Sequence, residues 1–578
     1  MNRILLTLLP GVFFMTQVTA LELVPVDIHE RLYPDRWPKS LEIGSTSVPR
    51  GAPATFQFAV RADTEGVARL SVTCNAAGRT RLHWLQSVHV EANTQGSLIN
   101  RPGGKVPDGW LDVLVREAPF NTLEVLVESD KMPVVAGRTH GVVLEFTPPP
   151  DIKPGIYEGT LRVKLGDDES VVPFSFRVHH TTLPDPLPLH SVHWLWPEPV
   201  NLTNGDVPEW WSERHWELLE VAGKQLRRFG DETMWTPLMN FEEPLIQTTR
   251  RRNGKLAFDY TRFDRWAALF YGMEFQRLAG RHVVGLGRST FVIDEASGEK
   301  QPLLKDPKDR DAWLAFLEIF YTDFHAHLED KGWIDKYIQH QYDEPTDTAL
   351  YKRLSGLTRK HLPGVRTIDA IHVRADQFSP LVDELVFNLI GLNSHQETAA
   401  KRNAQGQGVW LYHTTSPYPP NPNRHIDCHL TESRLYPWLA YKLGAGGFLF
   451  WAANGYRGAD EYKTSLGPFP SFANGGPRYP GHPPGDNWFF YRSPEGLRPS
   501  IRIVSFREGL IDNALLSMLA KHDPIAVRKL VNKIAPSIAQ FERDPAVYHR
   551  VRTAMLEDLD KHAIKKITPS GKVSSGTE

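Results

Sequence analysis

The sequence has few cysteines, almost no net charge, and no long apolar run beyond its first residues. Only Cys74 and Cys428 carry thiols among 578 residues, so a disulfide framework is excluded and two free thiols are expected. Lys and Arg number 66 against 68 Asp and Glu, a net charge of −2, which argues against a nucleic-acid partner. No later run reaches the roughly 18 apolar residues of a membrane span, so no membrane insertion is expected after leader removal.

The first twenty residues have the pattern of a signal peptide. A charged start at Met1-Asn2-Arg3 precedes an apolar run, Ile4 to Met15, and the small residues Val18-Thr19-Ala20. A membrane anchor is the alternative, but the run is shorter than the roughly 20 residues that span a bilayer and is broken by Pro10-Gly11. We therefore expect cleavage of residues 1–20, a mature chain starting at Leu21, and a periplasmic or extracellular location.

Residues 21–182 have the pattern of a β-sandwich, because short β-branched and aromatic runs alternate with Gly, Pro, Asn and Asp. The predicted strands are Ala54–Val60, Ala68–Thr73, Leu82–Val90, Leu123–Glu128, Gly141–Phe146, Ile156–Val163 and Val171–Val178. Three prolines in the segment Leu183-Pro184-Asp185-Pro186-Leu187-Pro188 cannot continue a sheet. Residues 183–190 are therefore predicted to be a Pro-rich linker.

Residues 191–522 alternate strand-like runs with amphipathic stretches of helical length, as in a (β/α)8 TIM barrel. The predicted strands are Val192–Trp196, Thr233–Leu238, His282–Leu286, Tyr337–Gln341, Arg366–Ile371, Leu385–Ile390, Gly408–Tyr412 and Gly447–Trp451. The predicted helices are Glu213–Phe229, Phe263–Leu278, Asp311–Asp330, Thr346–His361, Thr431–Leu443 and Ile501–Ala520. Residues 523–567 are predicted to form C-terminal helices and 568–578 a flexible tail.

The reactive groups of such a barrel lie at the C-terminal ends of its strands, and the fourth predicted strand ends in Asp343-Glu344-Pro345. Confining two adjacent carboxylates raises at least one pKa, which keeps a carboxyl group protonated for general acid catalysis. The alternative is a solvated turn that caps the next helix.

Spacing restricts the mechanism. Ordinary glycosidases place two carboxyl groups about 5 to 9.5 Å apart across the scissile bond, and consecutive residues do not bracket a sugar in that way. A neighbouring pair suits a substrate whose own 2-acetamido oxygen attacks the anomeric carbon. The enzyme then supplies one acid/base and one carboxylate that holds the amide N–H.

Five segments, in this order and spacing, resemble glycoside hydrolase family 123. They are Ile338-Gln339-His340-Gln341-Tyr342-Asp343-Glu344-Pro345, Trp410-Leu411-Tyr412, Asn423-Arg424-His425-Ile426-Asp427, Glu432-Ser433-Arg434-Leu435-Tyr436-Pro437-Trp438-Leu439-Ala440-Tyr441 and Gly447-Phe448-Leu449-Phe450-Trp451. The later segments Gly485-Asp486, Ser500-Ile501-Arg502 and Arg507-Glu508-Gly509-Leu510-Ile511-Asp512 resemble the family's C-terminal region. The resemblance covers about residues 21–516.

The resemblance implies an exported β-N-acetylgalactosaminidase with a β-sandwich before a (β/α)8 barrel. It implies that Asp343 orients the acetamido group and that Glu344 is the acid/base of a substrate-assisted, retaining mechanism. The implied partner is a glycan with a terminal β-linked N-acetylhexosamine, and no cofactor is implied.

Further candidate substrate-binding residues lie at other strand ends. Trp196, Trp235, Tyr412 and Trp451 would form the floor of the sugar site, and Asn393 and Asn454 would bind hydroxyl groups. Packing inside the barrel is the alternative for each of them. Arg424 and Asp427 match the family motif and are candidates for substrate contact, with a structural ion pair as the alternative.

The run His425-Ile426-Asp427-Cys428-His429 offers imidazole, carboxylate and thiol groups, but it lacks the paired, well-spaced ligands of structural zinc sites. We therefore predict no metal. Gly285-Leu286-Gly287 lacks the third glycine of a dinucleotide-binding loop, so no nucleotide cofactor is predicted.

Two other functions remain open at this point. One is a carbohydrate-binding or surface-structural protein with an inactive barrel, although such a protein has no need of a like-charge pair in a cleft. The other is a hexosaminidase of the same mechanism with a different sugar specificity, because barrel loops determine specificity.

Overall fold

A computed structural model describes residues 21–39, 45–96, 100–239, 241, 243–284, 290–372, 374–468 and 481–567. The predicted signal peptide and C-terminal tail lie outside these residues. Within the described part of the chain, no helix is both long and apolar enough to cross a membrane.

The N-terminal part is a sandwich of two five-stranded sheets with strand orders β1-β3-β8-β5-β6 and β2-β10-β9-β4-β7. Its strands are β1 Leu21–Val26, β2 Ser45–Arg50, β3 Ala54–Ala62, β4 Gly66–Cys74, β5 Arg79–Val90, β6 Phe120–Glu128, β7 Lys131–Val134, β8 His140–Thr147, β9 Gly155–Leu165 and β10 Asp168–Thr182. Alternate residues of both sheets, such as Phe56, Leu144, Leu161 and Phe174, form its apolar core.

Three strands of the sandwich, β1, β2 and β7, were not predicted. Each contains a proline, at Pro25, Pro49 and Pro133, and each is an edge strand of its sheet. Proline has no backbone N–H to donate and is tolerated at the edge of a sheet. The prolines therefore explain both why these strands are hard to recognise in the sequence and why they lie at sheet edges.

The central part is a nearly closed barrel of eight strands whose hydrogen-bonded neighbours are all parallel. The strands, in chain order, are β11 His190–His193, β12 Thr233–Thr236, β15 Arg277–Gly280, β18 Tyr337–His340, β19 Arg366–Ala370, β20 Glu384–Asn388, β21 Gly408–His413 and β22 Gly447–Phe450. Asp231 bridges the seam between β11 and β12, because its carboxylate accepts hydrogen bonds from Ser191 Oγ (2.7 Å) and from the backbone N–H of His193 (3.0 Å).

Smaller sheets lie outside the barrel. Strands β13 Gln247–Arg250, β14 Leu256–Asp259, β16 Phe291–Asp294 and β17 Lys300–Pro302 form one of them, and β23 Phe490–Ser493 with β24 Gly496–Pro499 forms a hairpin.

The helices are α1 Pro199–Leu202, α2 Glu213–Arg228, α3 Thr261–Gly272, α4 Arg310–Asp330, α5 Thr348–His361, α6 Ala375–Phe378, α7 Leu389–Ser394, α8 Gln396–Ala404, α9 Leu430–Lys442, α10 Ile501–Ala520, α11 Pro524–Ile534 and α12 Pro545–Ile567. Ser212 caps α2 by accepting a hydrogen bond from the backbone N–H of His215, and Trp216 and Leu219 bury one face of that helix.

One predicted strand is wrong. The third barrel strand is Arg277–Gly280, not His282–Leu286, because the preceding helix ends at Gly272 rather than at Leu278. Glu274 adopts a left-handed backbone with φ 66°, which cannot continue a helix. Arg281, which directly precedes the predicted strand, and His282, its first residue, therefore lie just after the C-terminal end of the observed strand. Residues 285 and 286 of the predicted strand lie outside the described residues.

Charged side chains join the sandwich to the barrel. Glu124 of β6 lies between Arg31 Nη1 (3.0 Å) and Arg502 Nε of α10 (2.5 Å), and all three are buried. Glu145 of β8 pairs with Arg507 of α10 (2.6 Å) and also with Arg228 of α2.

The C-terminal helix α12 packs on both parts of the chain. Asp560 of α12 accepts hydrogen bonds from the backbone N–H and the hydroxyl of Thr181 in β10, at 2.9 and 3.0 Å. Arg552 pairs with Asp512 of α10 at 2.6 Å. The predicted C-terminal helices are therefore packed against both the sandwich and the barrel.

Candidate active site

Asp343 and Glu344 lie in the turn that follows β18, at the C-terminal end of the barrel. The buried carboxylate of Asp369, on β19, accepts hydrogen bonds from the backbone N–H groups of Gln341 (2.8 Å) and Tyr342 (3.1 Å) and from the hydroxyl of Tyr351 (2.6 Å). The Glu344 N–H donates to the carbonyl of Ala370 at 2.9 Å. The backbone on both sides of Asp343 is thus attached to β19.

Glu344 adopts a left-handed backbone conformation with φ 47°. This region is unfavourable for a residue with a Cβ, and more so for one that precedes a proline. Such strain persists where surrounding contacts enforce it and is concentrated at functional sites. The conformation supports a functional role for Glu344 rather than a solvated helix cap.

The two carboxylates have different surroundings. Tyr412 Oη donates a hydrogen bond to one oxygen of Glu344 at 2.7 Å, and His372 Nδ1 lies 3.6 Å from the other oxygen. Burial and the charge of Glu344 raise the pKa of Tyr412 well above its usual value, so the phenol remains a donor.

The Asp343 residue is exposed to solvent, yet protein atoms surround its carboxyl group on most sides. This desolvation, with the adjacent charge of Glu344, raises the pKa of Asp343 to about 7, and Arg281 opposes the rise. The carboxyl group of Asp343 therefore titrates near neutrality, and its ionisation depends on the nearby guanidinium.

Arg281 directly follows β15, and its guanidinium lies among aromatic rings. It is 5.8 Å from the ring centroid of Trp196, 5.3 Å from Trp235 and 5.4 Å from Phe241. Burial lowers the pKa of Arg281 to about 10, which leaves it cationic at neutral pH. The aromatic rings hold a positive charge beside Asp343.

The structure brings several predicted aromatic residues to this end of the barrel. Trp235 packs on Trp196 at a centroid distance of 5.8 Å, and the indole N–H groups of both have no acceptor among the described residues. Trp196 and Trp451 are half-buried, whereas Trp235 is buried in the barrel interior. Their contact with a sugar stays a prediction, as do the roles of Asp343, Glu344 and Tyr412.

The hydroxyl-binding role predicted for Asn454 is not supported. Asn454 is fully buried. Its side-chain amide accepts a hydrogen bond from the backbone N–H of Trp196 (2.8 Å) and donates to the backbone carbonyls of Trp196 and Asn201 (both 2.9 Å). It positions Trp196 instead of a ligand. Asn393 is exposed on α7, where its backbone carbonyl accepts from the side-chain amide of Gln396 at 3.3 Å, and its contact with a hydroxyl group stays a prediction.

Substrate contact by Arg424 and Asp427 is not supported either. Arg424 is buried with its guanidinium 3.9 Å from the ring centroid of Phe489, and its Nη1 lies 3.1 Å from Nε2 of His193. Asp427 accepts hydrogen bonds from the backbone N–H (2.7 Å) and the hydroxyl (3.1 Å) of Thr94 in the sandwich. The two residues have separate partners, and Asp427 joins the domains.

The donors of His425, Asp427 and Cys428 lie within 4.8 Å of one another, but they do not fit a metal centre. Asp427 is engaged by Thr94, and His425 Nδ1 lies 3.1 Å from the Thr94 hydroxyl. Burial raises the pKa of the Cys428 thiol, which disfavours the thiolate that binds metals.

Three residues of the site were not among the predicted ones: Arg281, His372 and Asn388. Asn388 ends β20, and its side chain caps α7 by accepting from the Gly391 N–H at 2.6 Å and opposes the rise in the pKa of Tyr412. The predicted strand Leu385–Ile390 runs two residues too far, so Asn388 was not recognisable as a strand-end residue. Arg281 was not either, because the strand before it was placed five residues too late.

A carboxylate pair at the C-terminal face of an eight-stranded parallel barrel lies where the active sites of such barrels are found, glycoside hydrolases among them. The sequence model described as Glycoside hydrolase 123, catalytic domain, matches residues 196–519, more than half of the 578 residues. The chain belongs to glycoside hydrolase family 123, as its motifs indicated.

Comparison with solved structures agrees with this fold. A family 123 glycoside hydrolase from Clostridium perfringens, studied for glycolipid glycan hydrolysis, superposes with a TM-score of 0.73 at 15% identity, over 95% of this chain and 100% of that chain. A β-galactosidase from Marinomonas ef1 reaches a TM-score of only 0.32 at 11% identity, over 60% of this chain and 62% of its own. No curated protein matches the chain.

Proposed function

We propose that the protein is an exported, retaining exo-β-N-acetylgalactosaminidase that acts on glycan ends. The observation that carries the proposal is the adjacent pair Asp343 and Glu344, held at the barrel mouth in different environments. Two neighbouring carboxylates do not bracket a glycosidic bond, but they suit a substrate that supplies its own nucleophile. Export is proposed from the leader-like residues 1–20.

In the first step, the acetamido oxygen of the substrate attacks the anomeric carbon while the bond from that carbon to the leaving oxygen breaks. Glu344 donates its proton to the leaving oxygen. Asp343, ionised, accepts a hydrogen bond from the acetamido N–H and stabilises the positive oxazolinium ion that forms. In the free protein the raised pKa is that of Asp343, so this step requires the proton of the carboxyl pair to lie on Glu344 once the acetamido N–H binds Asp343. The cation of Arg281 supports that arrangement, because it favours the ionised form of Asp343.

In the second step, Glu344 takes a proton from water, and the water oxygen opens the oxazolinium ring at the anomeric carbon. Two inversions give net retention of configuration. The hydrogen bond from Tyr412 orients the Glu344 carboxyl group, and its position on one oxygen leaves the other oxygen for proton transfer.

The test is hydrolysis of aryl β-GalNAc, β-GlcNAc and β-galactoside substrates in parallel, with the product anomer followed by NMR. We expect cleavage of the N-acetyl sugars, with β-GalNAc preferred, first release of the β-anomer, and inhibition by a thiazoline mimic of the cyclised intermediate. An inverted product, or equal cleavage of the plain β-galactoside, would overturn the proposal. No cleavage of any substrate would favour the carbohydrate-binding alternative.

A further inference from the structure

Two described stretches of the sandwich between β5 and β6, residues 91–96 and 100–119, lie on the barrel loops that follow β21 and β22. Asp427, in the first of these loops, accepts from the Thr94 N–H at 2.7 Å, and its carbonyl accepts from the Val115 N–H at 3.0 Å. Glu91 accepts from the backbone N–H and hydroxyl of Ser465, in the second loop, at 3.0 and 2.8 Å. These stretches therefore reach the barrel face that carries Asp343 and Glu344.

These stretches place an aromatic pair on that face. The indole of Trp110 stacks on the phenol of Tyr418, with ring centroids 5.6 Å apart and planes inclined by 21°. Both residues are only half-buried. Gly96, with φ 73°, passes so close to the indole that a Cβ there would lie 2.7 Å from Trp110 Cη2. The glycine backbone and Tyr418 thus hold Trp110 in place.

Tyr418, one member of this pair, is close in sequence to Tyr412, which contacts Glu344. Tyr418 follows Tyr412 by six residues, and Tyr412 donates the hydrogen bond to Glu344 at 2.7 Å. Six residues span at most about 22 Å even when fully extended. A glycan of a few residues with its terminal sugar at Glu344 is long enough to reach Tyr418.

We propose that Trp110 and Tyr418 form a subsite for a sugar ring of the substrate beyond the cleaved bond, so that the sandwich takes part in selecting the glycan. The inference rests on the proposed function. Aromatic faces bind the C–H groups of pyranose rings with little loss of side-chain entropy, and two rigid, partly exposed rings provide such a surface. The buried hydrogen bond of Asp427 and the partly buried ones of Glu91 keep the surface in a fixed position relative to the barrel.

The experiment compares Trp110→Ala, Trp110→Phe and the matched control Leu111→Ala, which changes the neighbouring exposed residue of the same loop. The substrates are an aryl β-GalNAc glycoside, which has no sugar beyond the cleaved bond, and a trisaccharide with a terminal β-GalNAc. For Trp110→Ala we expect about a tenfold lower kcat/KM on the trisaccharide, through KM, and less than about a twofold change on the aryl glycoside. Trp110→Phe keeps a ring and should recover most of the loss.

Equal losses on both substrates, or no loss on either, would overturn the subsite. A calorimetric titration of the trisaccharide into Glu344→Gln and Glu344→Gln/Trp110→Ala separates this failure from failure of the proposed function. If the wild type cleaves neither substrate but Trp110→Ala weakens trisaccharide binding about tenfold, the subsite stands and the enzymatic proposal fails. If the wild type cleaves both and binding is unchanged, only the subsite is wrong.

Discussion

Asp343 and Glu344 are neighbours in the chain, but their side chains have different partners. Glu344 receives a hydrogen bond from Tyr412 at 2.7 Å, and Asp343 lies in the field of Arg281. In Glu344→Gln the proton donor is lost. Substrates with poor leaving groups should therefore lose on the order of 10²- to 10⁴-fold in kcat/KM, whereas activated aryl glycosides should be partly spared. A series of aryl glycosides of graded leaving-group pKa measures this, and a loss that is uniform across the series would contradict the assignment.

Asp343→Asn keeps the proton donor but removes the charge that stabilises the oxazolinium ion, so its activity loss should persist with good leaving groups. The variant should also alter stability. The pKa of Asp343 is raised to about 7 in the folded protein, above about 3.9 in the unfolded chain. The contribution of the Asp343 carboxyl group to the free energy of unfolding is therefore fully present below about pH 4 and is lost as the pH rises through about 7.

The asparagine does not ionise, so Asp343→Asn should unfold at a higher temperature than the wild type at pH 8 and at about the same temperature at pH 4. Thermal unfolding at the two pH values measures this difference. A variant that is no more stable than the wild type at pH 8 would show that Asp343 is not desolvated in the folded protein.

Arg281 should determine the acidic limb of the pH profile. In the proposed mechanism Asp343 acts in its ionised form, so kcat/KM should fall as the pH falls through about 7. Removing the opposing cation in Arg281→Gln raises the pKa of Asp343 further, which moves that limb to higher pH. Arg310→Gln removes an exposed arginine that pairs with Asp347 at 2.7 Å and serves as the control. If the acidic limb of Arg281→Gln lies at the same pH as that of the wild type, Arg281 does not influence the ionisation of Asp343.

At the scale of elements, the apolar patterns of the sequence were sufficient to predict the long helices and seven of the eight barrel strands. The helix Ile501–Ala520 has the predicted bounds, and Ser500 caps it by accepting from the Ile503 N–H. The edge strands β1, β2 and β7 were missed because proline is a poor strand former except at edges, and an edge is a property of the assembled sheet. The third barrel strand was misplaced because the left-handed Glu274 ends α3 early.

The sequence predicted those site residues whose candidate role follows from their position at the C-terminal end of a barrel strand. Asp343 and Glu344 were identified in this way. Burial decides the roles of Asn454, Arg424 and Asp427, and burial of a polar side chain depends on partners distant in sequence, such as Thr94 for Asp427. No local pattern shows that a motif residue joins two domains instead of contacting a ligand.

At the scale of the whole molecule, buried charges make the sandwich and the barrel one unit. Glu124 lies between Arg31 and Arg502 with no exposure. Glu124→Gln leaves two buried guanidinium groups with one fewer counter-charge, which should cost about 3–5 kcal/mol. Glu128→Gln, on the same strand, breaks an exposed pair with Arg81 and should cost about 1 kcal/mol or less.

The midpoint of urea unfolding, followed by tryptophan fluorescence, compares these two variants. The same experiment should show the sandwich and the barrel unfolding together in the wild type. Equal midpoints for Glu124→Gln and Glu128→Gln, or separate transitions for the two parts in the wild type, would contradict a shared charged interface.

The central claim is that the acetamido oxygen of the substrate is the nucleophile, with Asp343 and Glu344 in supporting roles. The most direct test is kcat/KM for aryl β-GalNAc substrates whose N-acetyl group carries zero, one, two or three fluorine atoms. Fluorine withdraws electron density from the carbonyl oxygen, so the rate should fall with each atom, by roughly 10²-fold or more over the series. Equal rates across the series would show that the enzyme, and not the substrate, provides the nucleophile.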